Sequence, residues 1–262
     1  MGEHLFYENS WGAFTVASRG ASLLSLQIGG RELLHDFGDQ WHQWASGAVM
    51  FPFPVRMASG TVMAFEGAEY HWPINDEKHR AALHGFTPWE EFELAQLPSG
   101  IQASWNYDGS KEYYPFPCRL TISYTLEEHG LTLSGRIDNL GEANLPFHMG
   151  WHPYFKTNAP ALQPVPTHRL KKNEVSHPGE KIPFEGFDWA KEVDGAFFME
   201  SLELGDVSIQ PLSAITQVFR PADAPFVAIE PITGLGHSDF PWRTVPSGEA
   251  DEVVTIIGLR RR

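Results

Sequence analysis

The 262-residue sequence has a single cysteine and no long apolar run. Because Cys118 has no second cysteine to pair with, no disulfide can form within the chain, and the fold depends on its packed core. No stretch approaches the ~18 apolar residues of a membrane span. The first residues also lack the basic and apolar regions of a signal peptide. We therefore expect a cytoplasmic protein with no membrane partner.

Positive charge is also scarce. Lys and Arg number 19 against 33 Asp and Glu, which gives a formal net charge of −14. A negative surface repels phosphate backbones, so we predict no nucleic-acid partner. The hydrophobic fraction of 42% is ample for a folded core and excludes a disordered chain.

Several catalytic signatures are missing as well. The sequence contains no Gly-x-Ser-x-Gly elbow, no phosphate-binding glycine loop, no dinucleotide fingerprint, no HExxH and no Cys-x-x-Cys pattern. His148 and His152 are four residues apart, but Pro146, Gly150 and Pro153 argue against a helix there. In an extended segment the two histidines lie roughly 13 Å apart, too far for one ion. We predict no metal site.

Alternation of apolar and polar residues is the main structural signal that is present. It predicts half-buried strands over Ile101–Asp108, Leu120–Leu126 and Leu131–Asp138, the last two forming a hairpin. A second hairpin is predicted around Glu66–Glu69, and a buried strand over Val253–Leu259. The 24 Gly and 20 Pro are scattered, which is typical of many short strands with frequent turns.

Helical periodicity is limited to one short candidate. We predict a helix at Asp188–Val193 and a long loop over Ala159–Gly186, where Pro, Lys, Thr and Asn are mixed. The sequence shows no repeat, low-complexity tract or linker. These features predict one all-β domain that spans residues 1–262.

Four segments contain side chains that could take part in binding or catalysis, and the first two carry a cation or an imidazole. Arg56 ends the run Phe-Pro-Phe-Pro-Val-Arg, where a guanidinium can donate hydrogen bonds to hydroxyl oxygens or a carboxylate. His84 precedes Gly85 in Leu-His-Gly-Phe, which suggests a tight turn that presents the ring. On local sequence alone, an ordinary salt bridge for Arg56 and a surface-loop role for His84 are the favoured interpretations.

The third segment is Leu-Pro-Phe-His-Met-Gly-Trp-His-Pro-Tyr-Phe, which spans residues 145–155. Aromatic faces bind the C–H faces of sugars, and imidazoles supply protons near neutral pH. The alternative is a histidine that is buried in an aromatic core and satisfied by backbone groups.

A carboxylate stands in the fourth segment, Phe-Val-Ala-Ile-Glu-Pro-Ile-Thr-Gly. In a strand, Val227 and Ile229 share one face while Ala228 and Glu230 share the other. We expect Pro231 to stop the ladder, which leaves Glu230 at a strand end as a candidate general base. A capping or salt-bridged glutamate is the alternative.

Taken in order, Pro-Phe-Pro-Val-Arg, Leu-His-Gly-Phe, Gly-Trp-His-Pro-Tyr-Phe and Ala-Ile-Glu-Pro-Ile-Thr-Gly resemble the aldose 1-epimerase (galactose mutarotase-like) family. The similarity covers roughly residues 50–235. It implies a β-supersandwich of two large antiparallel sheets whose concave face holds a sugar. It also implies an isomerase that interconverts the α and β anomers of a monosaccharide.

The resemblance assigns roles to five residues. His152 corresponds to the catalytic acid and Glu230 to the catalytic base. Arg56 and His84 correspond to sugar-binding residues, and Asp194 to an acidic residue that holds sugar hydroxyls.

Ring opening needs one proton removed from the anomeric hydroxyl and one delivered to the ring oxygen. These roles require Glu230 to be ionised and the pKa of His152 to stay near or above roughly 6.5. No electrons or groups are transferred, so no cofactor is expected. One departure from the family pattern is Val55, where members often carry Asn.

Other readings of the same residues stay open. They are a non-catalytic carbohydrate-binding protein, a sugar-phosphate epimerase of the same fold, and a polysaccharide lyase or hydrolase on a similar sandwich. A glycoside hydrolase requires two facing carboxylates, whereas the sequence offers one clear candidate. A monomer or homodimer is expected.

Overall fold

A computed structural model describes residues 2–57, 59–156, 217–221, 224–235 and 241–259 with their side chains, and the strands between residues 161 and 216 by their backbone. Within these ranges the helical segments are two 3₁₀ helices, Gly38–Trp44 and Thr87–Trp89. No helix of the described chain has the length and apolar character that crossing a bilayer requires.

Strands make up most of the described chain. In chain order they are β1 (His4–Asn9), β2 (Gly12–Ala17), β3 (Ser22–Ile28), β4 (Arg31–Glu32), β5 (Val49–Met50), β6 (Val62–Phe65), β7 (Ala68–His71), β8 (Glu93–Leu97), β9 (Gly100–Tyr107), β10 (Cys118–Glu127), β11 (Gly130–Asn139), β12 (Leu145–Phe147) and β13 (Gly150–Trp151). They continue with β14 (Tyr154–Lys156), β15 (Ala161–Pro164), β16 (Arg169–Leu170), β17 (Glu174–Val175), β18 (Ile182–Pro183), β19 (Trp189–Val193), β20 (Phe197–Ser201), β21 (Gly205–Pro211), β22 (Ile215–Arg220), β23 (Phe226–Ile232), β24 (Arg243–Val245) and β25 (Ala250–Leu259).

Two large antiparallel sheets form the architecture. One has nine strands in the order β18-β15-β20-β21-β25-β11-β10-β9-β8. The other has the order β17-β16-β19-β22-β23-β13-β5, with β14 also paired to β23. A four-stranded sheet, β1 to β4, and the two-stranded pairs β12–β24 and β6–β7 complete the described sheets. The prediction of an all-β protein is confirmed.

The strands predicted from alternation are present. β9, β10 and β11 cover the three predicted segments, and β10 pairs with β11 from Cys118 opposite Asn139 to Glu127 opposite Gly130. The second hairpin is β6–β7, and β25 contains the predicted C-terminal strand. Alternation predicts these strands well because each one buries a single face. In β10, the even-numbered residues are buried and the odd-numbered residues are partly or fully exposed.

Two local predictions are wrong. The predicted helix at Asp188–Val193 is strand β19, because Trp189–Val193 pairs along its whole length with β22. Ladder bonds with a neighbouring strand outweigh the weak helical preference of so short a segment. The predicted loop over Ala159–Gly186 contains the short strands β15 to β18, which add to the edges of the two large sheets.

The core lies between the two large sheets, and the faces of β23 show how it positions the site. Val227 and Ile229 join the main hydrophobic core together with residues of β9, β10 and β11. Ala228 instead packs with Tyr154 and Phe226 in a separate cluster. The alternation predicted for β23 is therefore correct, and Glu230 lies on the face that points away from the main core.

Candidate active site

The strand register brings His152 and Glu230 together. On one side of β23, Gly150 lies opposite Ile232 and Tyr154 lies opposite Ala228. In an antiparallel pair this register puts residue 152 directly across from residue 230. On its other side the His152 backbone is held by Gly47 and Ala48, with hydrogen bonds of 2.8 and 3.0 Å. The His152 backbone is therefore held on both sides, which fixes where its side chain starts.

Glu230 lies inside the strand and not at its end. β23 continues to Ile232, which pairs with Ile215 on β22 and with Gly150 on β13. The prediction that Pro231 stops the ladder is wrong, because the loss of one N–H does not break the pairing of the neighbouring residue. A strand interior holds the carboxylate more rigidly than a strand end would.

The two side chains face each other at short range in a buried place. His152 Nε2 lies 3.7 Å from Glu230 Oε1, and the side chains are 5% and 3% exposed. That distance is too long for a direct hydrogen bond, but it is compatible with an oxygen atom of a ligand placed about 2.8 Å from both atoms. Glu230 Oε2 and His152 Nδ1 are buried with no hydrogen-bond partner among the described residues. Unpartnered buried polar atoms are costly and are a common sign of a functional site.

Burial decides the protonation of this pair. It lowers the pKa of His152 to about 4. It raises the pKa of Glu230 to about 8, although the positive charge of Arg56 acts against that rise. At neutral pH the free site therefore contains a neutral imidazole and a protonated carboxyl. The expectation of a charged His152 and an ionised Glu230 is wrong for the free site, because low local polarity penalises both charges.

A cluster of aromatic rings packs beside His152. The Tyr154 ring stacks on His152 with centroids 4.8 Å apart and an angle of 23° between the ring planes. Phe37, just before the first 3₁₀ helix, and Trp44, its last residue, pack on Tyr154. Burial and then the nearby Glu230 raise the pKa of Tyr154 well above its usual value, so the phenol remains neutral. The wall is apolar, which explains the burial effects on the pair.

His84 approaches from a tight turn, as predicted. Its backbone has a φ of +61°, and the His84 N–H donates to the Val55 carbonyl at 2.9 Å. Gly85 follows because a Cβ there would lie 2.1 Å from the Phe51 oxygen. The His84 ring lies 4.9 Å from the His152 ring, edge to face. Burial, then the neighbouring His152 and Arg56, lower the pKa of His84 well below its usual value, so its imidazole is neutral at neutral pH.

Arg56 supplies positive charge beside these groups. Its backbone forms a bridge with Leu83, one residue before His84. Its side chain is half exposed and forms an ion pair with Asp76 through the guanidinium Nε. The structure thus brings together Arg56, His84, His152 and Glu230. The fifth predicted residue, Asp194, lies outside the described residues.

Three polar residues near the site were not singled out from the sequence. Asn75 hydrogen-bonds both backbone groups of Leu83, at 2.7 and 2.9 Å. Asp76 pairs with Arg56, and the buried Gln217 lies directly opposite Glu230 on β22. Asn and Asp look like ordinary turn residues, and no local pattern marks Gln217.

The arrangement is suited to acid–base chemistry on a neutral polar ligand. It combines a buried donor–acceptor pair, a neutral imidazole, a guanidinium and aromatic faces. No group of three or more His, Cys, Asp or Glu side chains in the described part of the chain has the arrangement of a metal site.

Comparison with known proteins gives the family. The aldose 1-epimerase family model matches residues 8–187, which is more than half of the chain. The chain therefore belongs to the aldose 1-epimerase family. Uncharacterized protein YihR of Escherichia coli (strain K12) is 30% identical over 146 residues, covering 55% of this chain and 47% of YihR. The chain thus aligns with about half the length of this curated relative.

Solved structures show the same fold. The GalM/aldose epimerase homologue from C. elegans superposes with a TM-score of 0.80 at 14% identity, covering 99% of this chain and 100% of that one. A galactose mutarotase-like protein from Lactobacillus casei gives 0.74 at 18% identity, covering 98% and 100%. A third, from Clostridium acetobutylicum, gives 0.78 at 14%, covering 100% and 96%. The fold is the galactose mutarotase-like β-supersandwich, as the sequence motifs implied.

Proposed function

We propose that the protein is an aldose 1-epimerase that interconverts the α and β anomers of a monosaccharide. The observation that carries the proposal is the buried His152–Glu230 pair, whose facing atoms lie 3.7 Å apart. Family membership supports the same reaction. Arg56 and His84 bind sugar oxygens in this proposal, and Asp194 remains a proposed sugar ligand.

The chemistry follows from the number of protons on the pair. Glu230 removes the proton from the anomeric hydroxyl, and His152 delivers one to the ring oxygen. The open-chain aldehyde rotates about C1–C2, and closure reverses both transfers. The balance is exact because each group returns to its starting state after one turnover. No cofactor is needed for this sequence of steps.

The free site already holds the single proton that this cycle requires. A protonated Glu230 with a neutral His152 and an ionised Glu230 with a charged His152 contain the same number of protons. Binding therefore needs only an internal transfer from Glu230 to His152. A sugar hydroxyl that donates to the unpartnered Glu230 Oε2 favours the ionised carboxylate and so drives this transfer.

Free sugars take precedence over sugar phosphates as candidate substrates. Arg56, the cation that acts on Glu230, is already paired with Asp76. A phosphate at this position would meet the Asp76 carboxylate as well as the guanidinium, and like charges repel.

Polarimetry tests the proposal directly. Freshly dissolved α-anomers of several aldoses are followed by optical rotation with wild-type protein, His152→Ala and Glu230→Gln. We expect the wild type to accelerate approach to the same final rotation with at least one sugar. Each variant should lose about 10²–10⁴-fold in rate, the usual contribution of one positioned proton transfer.

A matched control comes from an exposed pair. His129 Nε2 lies 3.6 Å from Glu127 Oε2, but both side chains are about half exposed. Glu127→Gln should leave the rate unchanged. If Glu230→Gln bound sugar and kept the wild-type rate, the protein would be a carbohydrate-binding protein without this chemistry.

A further inference from the structure

The ion pair between Arg56 and Asp76 joins a half-exposed cation to a nearly buried anion. The Arg56 side chain is 48% exposed, whereas the Asp76 side chain is 10% exposed. The contact uses the guanidinium Nε as donor and Asp76 Oδ2 as acceptor. The terminal nitrogens carry the other four N–H donors of the guanidinium.

The Asp76 carboxylate is held in place by its own surroundings. His79 Nδ1 lies 3.0 and 2.9 Å from the two carboxylate oxygens. The Asp76 backbone exchanges two hydrogen bonds with Ala81, at 3.1 and 3.2 Å. Asn75 fixes the same loop to Leu83, which in turn bridges Arg56. The loop therefore anchors the carboxylate relative to the Arg56 backbone.

Asp76 is charged across the working range. Burial by itself raises the pKa of this carboxyl, but the hydrogen bonds from Arg56 and His79 outweigh it and lower the pKa to about 2. The positive charge of Arg56 acts against the rise in the pKa of Glu230 and contributes to the lowered pKa of His84. The guanidinium is thus held by a fixed anion, and its charge acts on His84 and Glu230.

We infer that Asp76 is a positioning residue, which engages the Arg56 Nε–H and so aims the terminal guanidinium nitrogens at a sugar oxygen beside His84 and Glu230. A long, half-exposed side chain loses rotamer freedom when it binds a ligand, and a fixed partner meets that cost in advance. Asp76 itself touches no reacting atom in this role. The inference rests on the proposed function where it concerns the sugar.

A double-mutant cycle tests it. Asp76→Asn keeps the size of the side chain but removes its charge. We expect KM for the sugar to rise about tenfold with kcat within about twofold, since the lost interaction serves binding and not the proton transfers. In an Arg56→Ala background, adding Asp76→Asn should change KM by less than about twofold, because residues that act through one another are not additive.

A surface pair of the same type is the control. Arg136 and Asp138 form an ion pair of 2.7 Å on β11, with an exposed arginine. Asp138→Asn should leave KM and kcat unchanged. If Asp76→Asn raised KM equally with and without Arg56, Asp76 would act by another route and the inference would be overturned.

A second measurement needs no substrate. The Nε–H of Arg56, observed by ¹⁵N NMR, should exchange slowly with water in the wild type and rapidly in Asp76→Ala, which removes the acceptor oxygens. Unchanged exchange in the variant would overturn the inference. If no sugar responded in polarimetry, the proposed function would fail, while this signal would still decide whether Asp76 orients Arg56.

Discussion

The protonated state of Glu230 in the folded protein makes stability depend on pH in a defined direction. The pKa of Glu230 rises from 4.5 to about 8 on folding, because burial disfavours the carboxylate. The folded state therefore holds more protons than the unfolded state between these two values. Stability from this group is fully present below pH 4.5 and is lost as pH rises to about 8. Glu230→Gln replaces the protonated acid with a neutral group of similar shape and removes this loss.

The size of the effect follows from the two pKa values. Each tenfold change in proton affinity is worth about 1.4 kcal/mol, so the full loss is about 5 kcal/mol as an upper bound. His152 acts in the opposite direction: burial lowers its pKa from 6.5 to about 4, so its contribution to stability grows as pH rises through that window. The contribution of His152 is common to the wild type and to Glu230→Gln. The difference between their free energies of unfolding therefore reports on Glu230, apart from coupling within the pair.

Urea unfolding of both proteins at pH 5, 6, 7 and 8 measures that difference. We expect Glu230→Gln to gain on the wild type by several kcal/mol between pH 5 and 8. Glu127→Gln, at a glutamate whose side chain is half exposed to water, is the control for effects of the substitution itself. A flat difference for Glu230→Gln across this range would refute the argument that burial keeps the carboxyl protonated.

Two further predictions concern the same region. The profile of kcat/KM against pH should be bell-shaped, with limbs near pH 4 and pH 8, because the pair holds one proton between these values. Limbs near pH 4.5 and 6.5 would instead indicate groups with ordinary pKa values. Gly85→Ala should cost at least about 2 kcal/mol in chemical unfolding, because its φ is +64° and a Cβ would lie 2.1 Å from the Phe51 oxygen. Gly67→Ala is the control: its φ is +83° but the space is open, so only about 1–2 kcal/mol of backbone strain is expected.

The long strands could be predicted because each buries a single face. Alternation over β9, β10 and β11 is a direct imprint of that burial. The strand β19 could not be predicted in the same way, since its five residues owe their conformation to pairing with β22. Strands that depend mainly on their neighbours leave a weak signal in their own sequence.

The members of the site were predictable by type, whereas their mutual arrangement was not. The turn at His84 could be predicted because it requires a glycine at the next position, and the sequence has Gly85 there. The contact between His152 and Glu230 depends on the register of β13 and β14 against β23, and nothing in either segment fixes that register. Only the paired strands place the two side chains face to face.

The protonation states of His152 and Glu230 were the property that the sequence predicted least well. Histidine and glutamate with ordinary pKa values would form an ion pair at neutral pH, but the ring of Tyr154 and the strands on either side of His152 exclude water from both. Desolvation then moves the two pKa values past each other, so the same two residues hold their proton on the carboxyl instead of the imidazole. The number of protons is unchanged by this reversal. A site of this kind keeps its acid–base capacity without maintaining two buried charges in the absence of a ligand. In the proposed function, a sugar hydroxyl supplies the hydrogen bond that makes the charged form accessible.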